Sequence, residues 1–191
     1  MGVAMLPLYI RFLGMESYGL IGIFSSLQAW LILLDMGMRP ALSREMARFT
    51  AGAHDAQSIR DLLRSVELIV IGVALFVGVG TWASSGWLAT HWVTAKTLPV
   101  GVVARSFAVM GLVVALRSLE DVYMSSIAGL QRQVLQNSVA IVVATARGLG
   151  ALGVLAWVSP TIAAFFFWQA LISAASLAIF GGIVYRVLPY P

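Results

Sequence analysis

The chain has 191 residues, 60% of them hydrophobic and only 10% charged, with a mean hydropathy of +0.93. Soluble domains carry about 25% charged residues, so this composition excludes an ordinary soluble domain and predicts an all-α, polytopic integral membrane helix bundle. The net charge of +4 comes from arginines set between apolar spans, which argues against nucleic-acid binding, and the lack of cysteine excludes disulfides and thiol catalysis.

Met1 to Phe12 (MGVAMLPLYIRF) is apolar but too short to span a bilayer, and it lacks the basic start and cleavage site of a signal peptide. It reads as the remnant of a first helix that is truncated, with a chain that starts further upstream, or as an interfacial segment. Gly14 to Gly19 (GMESYG) then reads as a short polar turn between the anchors Tyr9 and Tyr18. The first full span covers about 18–36, long enough at about 1.5 Å per residue to cross roughly 28 Å of hydrocarbon. Asp35 lies at its exit, Gly37 suits the helix stop, and Pro40 cannot continue the same ladder.

A basic loop follows over 37–65, with Arg39, Arg44, Arg48, Arg60 and Arg64. That density predicts a cytoplasmic face. Arg44 and Arg48, like Arg60 and Arg64, are four apart and would share a face if the loop holds short surface helices; such faces suit anionic lipid headgroups, while an ordinary orienting loop explains the same arginines.

The second span is expected at 66–82, with Glu67 complementing its N-terminus. Trp82, Trp87 and Trp92 then mark an external loop at headgroup depth, more in keeping with membrane anchors than with a sugar platform. His54 and His91 fall in different loops without metal-ligand spacing, so no metal site or cofactor is expected.

The third span, about 100–127, carries Arg105 near its outer end and Arg117, Glu120 and Asp121 within its apolar run. Charges at such depth cost about 2.5 to 3.5 kcal/mol each, so they require a partner charge, a protein interior or water. Arg117 is three residues from Glu120 and four from Asp121, which permits local ion pairing; lining a hydrophilic cavity is the other reading, and the two are compatible. The fourth span, 134–158, carries Arg147 with no carboxylate within a turn on its own helix, so its charge needs a partner elsewhere. Arg147 and Arg117 fall at similar depth and could face one cavity. Ala144, Gly148, Gly150 and Gly153 permit close helix approach. The fifth span, 161–185, holds Gln169 and the serines Ser173 and Ser176, which suit hydrogen bonds between helices. Arg39, Arg44, Arg48, Arg60, Arg64, Arg132 and Arg186 fall inside against Arg11, Lys96 and Arg105 outside, which places the C-terminus in the cytoplasm.

The stretch LPLYIRFLGMESYGLIGIFSSLQAWLILLDMGMRPALSREMAR resembles the start of bacterial polysaccharide and O-antigen flippases of the multidrug/oligosaccharidyl-lipid/polysaccharide exporter superfamily. The matching pieces are Leu13-Gly14 before Tyr18-Gly19, the Leu34-Asp35-Met36-Gly37 exit and the segment from Arg44 to Arg48, with Gly129-Leu130-Gln131-Arg132 and Asn137 at a later turn. The resemblance implies one lobe, about helices one to six, of a two-lobed transporter in the bacterial inner membrane. It implies flipping of a polyprenyl-diphosphate-linked oligosaccharide by alternating access, for polysaccharide assembly machinery at the cell surface. The missing second lobe, or self-association, would complete the machine. By analogy Arg117 and Arg147 would hold the anionic diphosphate or acidic sugars, with Glu120 and Asp121 tuning them or coupling to an ion gradient; these four are not signature residues of the family. Asp35, Gly37, Arg44 and Arg48 do match, and imply a conformational or topogenic role. Export of a drug or peptidoglycan precursor on the same fold, and a truncated non-transporting fragment, are the alternatives. An enzyme is not expected, because Glu120 and Asp121 are adjacent within one helix and do not form a facing acid/base pair.

Overall fold

The computed structural model describes residues 2–34, 37–91 and 98–188, of which all the regular structure is helical. Asp35, Trp92 and Lys96 lie outside the described residues. The helices are α1 (Gly2–Leu34), α2 (Met38–Thr50), α3 (Ala56–His91), α4 (Val100–Gly129), α5 (Gln133–Trp157) and α6 (Ile162–Val187). Among the described residues, α3 to α6 are each long and apolar enough to cross a membrane.

Two expectations are corrected and one left open is decided. The segment from Gly14 to Gly19 is not a turn: the helix breaks only at Gly14, at φ 77° and ψ 169°, and resumes at once. That conformation is essentially restricted to glycine. The segment 37–65 is mostly helical. Gly37 takes φ 80°, and Pro40 sits in the first turn of α2, where its missing N–H costs no helical bond. Finally, α3 begins at Ala56 and runs through Trp82 and Trp87 to His91, so these tryptophans and His91 are helical rather than in a loop, and Glu67 is well inside the helix. The hydroxyls of Thr81, Ser84 and Thr90 return to the carbonyls of Val77, Gly80 and Gly86, so polar residues continue this helix beyond its apolar part. Its 36 residues extend about 54 Å, well past the roughly 30 Å hydrocarbon core.

Two apolar cores fix the direction of each helix. One joins Leu20 and Phe24 of α1, Ala89 of α3, Val103 to Val114 of α4, Leu155 of α5 and Phe166 of α6. The other joins Leu42 and Met46 of α2, Ile59 and Val70 of α3, Val122 and Ile127 of α4, Val143 of α5 and Phe180 and Val184 of α6. Each of α3 to α6 therefore passes from one core to the other, alternating in direction. Helix α4 packs against every other helix and is the axis of the bundle.

Close approach occurs where small residues allow it. A Cβ on Gly150 would run into the Trp168 indole, whose Nε1 donates to the Ala146 carbonyl at 3.0 Å; Tyr9 donates its hydroxyl to the Gly148 carbonyl at 3.2 Å. A Cβ on Gly129 would collide with the Ser43 carbonyl of α2, so this glycine lets α2 lie directly on the end of α4.

Candidate functional site

Between the two cores lies a layer of charge. On α4 it occupies the interval between Val114 and Val122, on α5 that between Val143 and Ala151, and on α6 that between Phe166 and Phe180. The sequence places Arg117, Glu120 and Asp121 in the first interval, Arg147 in the second, and Gln169, Ser173 and Ser176 in the third. Arg117 and Arg147 lie about 18 Å and 21 Å along their helices from the α2 end.

Successive residues on a helix point about 100° apart, and this separates Glu120 from Asp121. Glu120, only 3% exposed, turns toward α5 and α6, where Arg147 Nη2 donates to its Oε2 at 2.5 Å and the Ser176 hydroxyl donates to the same oxygen at 2.8 Å. Arg147 also donates to Ser176 Oγ at 3.1 Å. Asp121 turns toward α2, where Arg39 Nη1 donates to its Oδ2 at 2.7 Å. Local pairing on α4 is therefore not how these carboxylates are satisfied; each takes an arginine from another helix.

Arg117 differs from its neighbours. Its Nη2 donates to the neutral Oε1 of Gln169 at 2.7 Å, and its guanidinium lies 5.2 Å from the Phe24 ring centroid. Gln169 in turn donates to the Arg147 carbonyl at 3.4 Å, so it links the two arginine sites. Among the described residues Arg117 makes no ion pair. Among the described residues, the buried Nε atoms of Arg117 and Arg147 find no hydrogen-bond partner, so both guanidinium groups retain donor capacity.

Arg117, Arg147, Glu120, Asp121 and Arg39 all line a cavity of about 400 Å³ between α1, α2, α3, α4 and α5. Gln28 of α1 and Ser118 of α4 add polar groups, while Val70, Val73, Met38, Met124 and Val143 form apolar wall. Gln28 and Arg39 were not legible as members of this site. A single glutamine carries no charge to mark it, and Arg39 read as one of a run of loop arginines.

The other matching residues lie apart. Arg44 and Arg48 are exposed on α2, and Arg48 Nη1 donates to Glu45 Oε1 at 3.1 Å. His54 Nε2 lies 2.7 Å from Glu45 Oε2. The His54 hydrogen bond, helped by Arg48, holds the Glu45 carboxyl below the ordinary carboxylate range. Glu67, inside α3, is met by the Tyr185 hydroxyl at 2.9 and 2.8 Å from its two oxygens, and so serves an interhelical contact rather than the helix start.

Six helices without strands among the described residues, four of them able to cross a bilayer, define a multi-pass membrane protein with a charged layer held between two apolar cores. The chain matches no protein-family model, no curated protein and no solved structure.

Proposed function

We propose that this chain is one lobe of an exporter that moves a polyprenyl-diphosphate-linked oligosaccharide from the cytoplasmic to the external leaflet of a bacterial inner membrane by alternating access. The observation that carries the reading is Arg117, an arginine at mid-depth that faces a cavity with a neutral amide as its hydrogen-bond partner. Among the described residues, three arginines and two carboxylates line that cavity, a formal excess of one positive charge among them. Retaining an unmatched cation there is costly, and such residues mark substrate paths. An arginine fork suits a diphosphate, and the apolar wall suits the attached lipid. The resemblance of the N-terminal stretch to polysaccharide flippases supports the same reading. Arg147, locked by Glu120 and Ser176, takes the smaller part: it fixes the layer and lends charge. Asp121 and Arg39 close the cavity toward α2. The two carboxylates are tied to different arginines on different helices, which favours binding and transport over acid/base catalysis.

The test is translocation of a labelled polyprenyl-diphosphate oligosaccharide in proteoliposomes holding the working transporter. Arg117→Ala is expected to abolish it, and Arg117→Lys to retain part of it, because the charge survives while the fork does not. Wild-type rates in both variants would refute the assignment.

A further inference from the structure

A second polar recess lies at the α2 end, where α2 crosses the turn between α4 and α5. It is a cleft of about 450 Å³ lined by Ser43 and Arg44 of α2, Gly129 at the end of α4, Gln131 of the turn, and Gln133 at the start of α5. Among the described residues lining it, none is acidic. Arg44 is exposed and, among the described residues, makes no hydrogen bond or ion pair, whereas Arg48 is tied to Glu45 and Arg39 to Asp121. The walls are braced by contacts: Gly129 seats α2 on α4, and Gln131, at φ 58°, is held by bonds from Gln131 N to Ala128 O and from Arg132 N to Ile127 O.

An apolar strip begins where the cleft ends. Val134 follows Gln133 directly and is 83% exposed, and Ile141 and Leu149 continue the same side of α5 at 64% and 54% exposed. Helix α2 buries Leu42 and Met46 against the bundle and leaves Arg44 and Arg48 exposed on its outer side. The cleft thus lies at the α2 end of the spanning helices α4 and α5, with exposed apolar residues leading from it along α5.

We propose that this corner binds the phosphate of an anionic phospholipid, with Arg44 as its cationic contact, the Gln131 and Gln133 amides as donors, and the acyl chain along Val134 and Ile141. The site is separate from the charged layer and does not depend on the transport reading.

The test is native mass spectrometry of the purified chain titrated with phosphatidylglycerol, phosphatidylcholine or inorganic phosphate. Wild type should retain phosphatidylglycerol in preference to phosphatidylcholine, and Arg44→Ala should lower that retention by about fivefold. Arg105→Ala, which removes an exposed arginine near the opposite end of α4, should leave it unchanged. Circular dichroism checks that each variant folds. Equal retention of phosphatidylglycerol by wild type and Arg44→Ala overturns the site. Displacement of the lipid by millimolar inorganic phosphate overturns the lipid assignment and leaves a site for soluble phosphate.

Discussion

Glu120→Ala would leave Arg147 in the bundle interior with, among the described residues, only Ser176 to accept a hydrogen bond from its side chain, and Asp121→Ala would remove one partner of Arg39 in a more open setting, the two side chains there being 23% and 40% exposed. Breaking a buried pair by removing one partner costs about 3 to 5 kcal/mol, whereas exposed pairs are worth about 1 kcal/mol or less. Thermal unfolding in detergent should therefore rank Glu120→Ala as much the more damaging, and equal losses would contradict the pairing described here. The need of Arg147 for a partner on another helix was legible from its isolation on α5; which carboxylate it takes was not. Spacing on α4 allowed Arg117 to pair with either neighbour, but spacing says nothing about what α5, α6 and α2 present to each face. The Glu45 cluster carries a pH dependence. Its carboxyl is depressed in the folded state, so its contribution is present above the ordinary carboxylate value of about 4.3 and is lost as pH falls through the lower folded value. Hydrogen exchange of amides 51–55, corrected for intrinsic rate, should rise more between about pH 5 and about pH 3 in wild type than in Glu45→Gln.

At the scale of elements, the seating of α2 depends on Gly129. Gly129→Leu should lift α2 from α4, seen as increased proteolysis or exchange over Met38–Thr50 with α5 and α6 unaffected; unchanged protection of α2 would refute the contact. The neighbouring Gln131 holds a left-handed conformation that costs an L-residue about 1 to 2 kcal/mol, so Gln131→Gly should stabilise the turn, by an amount that thermal unfolding reads directly. The membrane helices were legible because each carries a long apolar run. Their ends were less so. Trp82 to His91 read as a loop since its two serines and one threonine are polar and Gly86 interrupts it, but a helix leaving the bilayer has no need of apolar side chains, and those hydroxyls bond back to the preceding turn. In the same way the arginines of 37–65 masked an amphipathic helix whose inward residues, Leu42 and Met46, are few.

For the whole molecule, two apolar cores flank the charged layer, which on the proposed reading is where a ligand binds. Helix α4 joins both cores and carries Arg117, so a ligand held at that arginine touches the element that contacts every other helix. That link from layer to bundle is what an alternating-access reading requires. It is tested most directly by equilibrium binding of a short-chain polyprenyl diphosphate, and of the matching polyprenol without phosphates, to the purified chain and to Arg117→Gln. The account predicts that the wild-type chain prefers the diphosphate and that Arg117→Gln weakens diphosphate binding by about tenfold or more while leaving the polyprenol unchanged. Equal diphosphate binding by both proteins would contradict it, and would make the charged layer a structural clamp rather than a binding site.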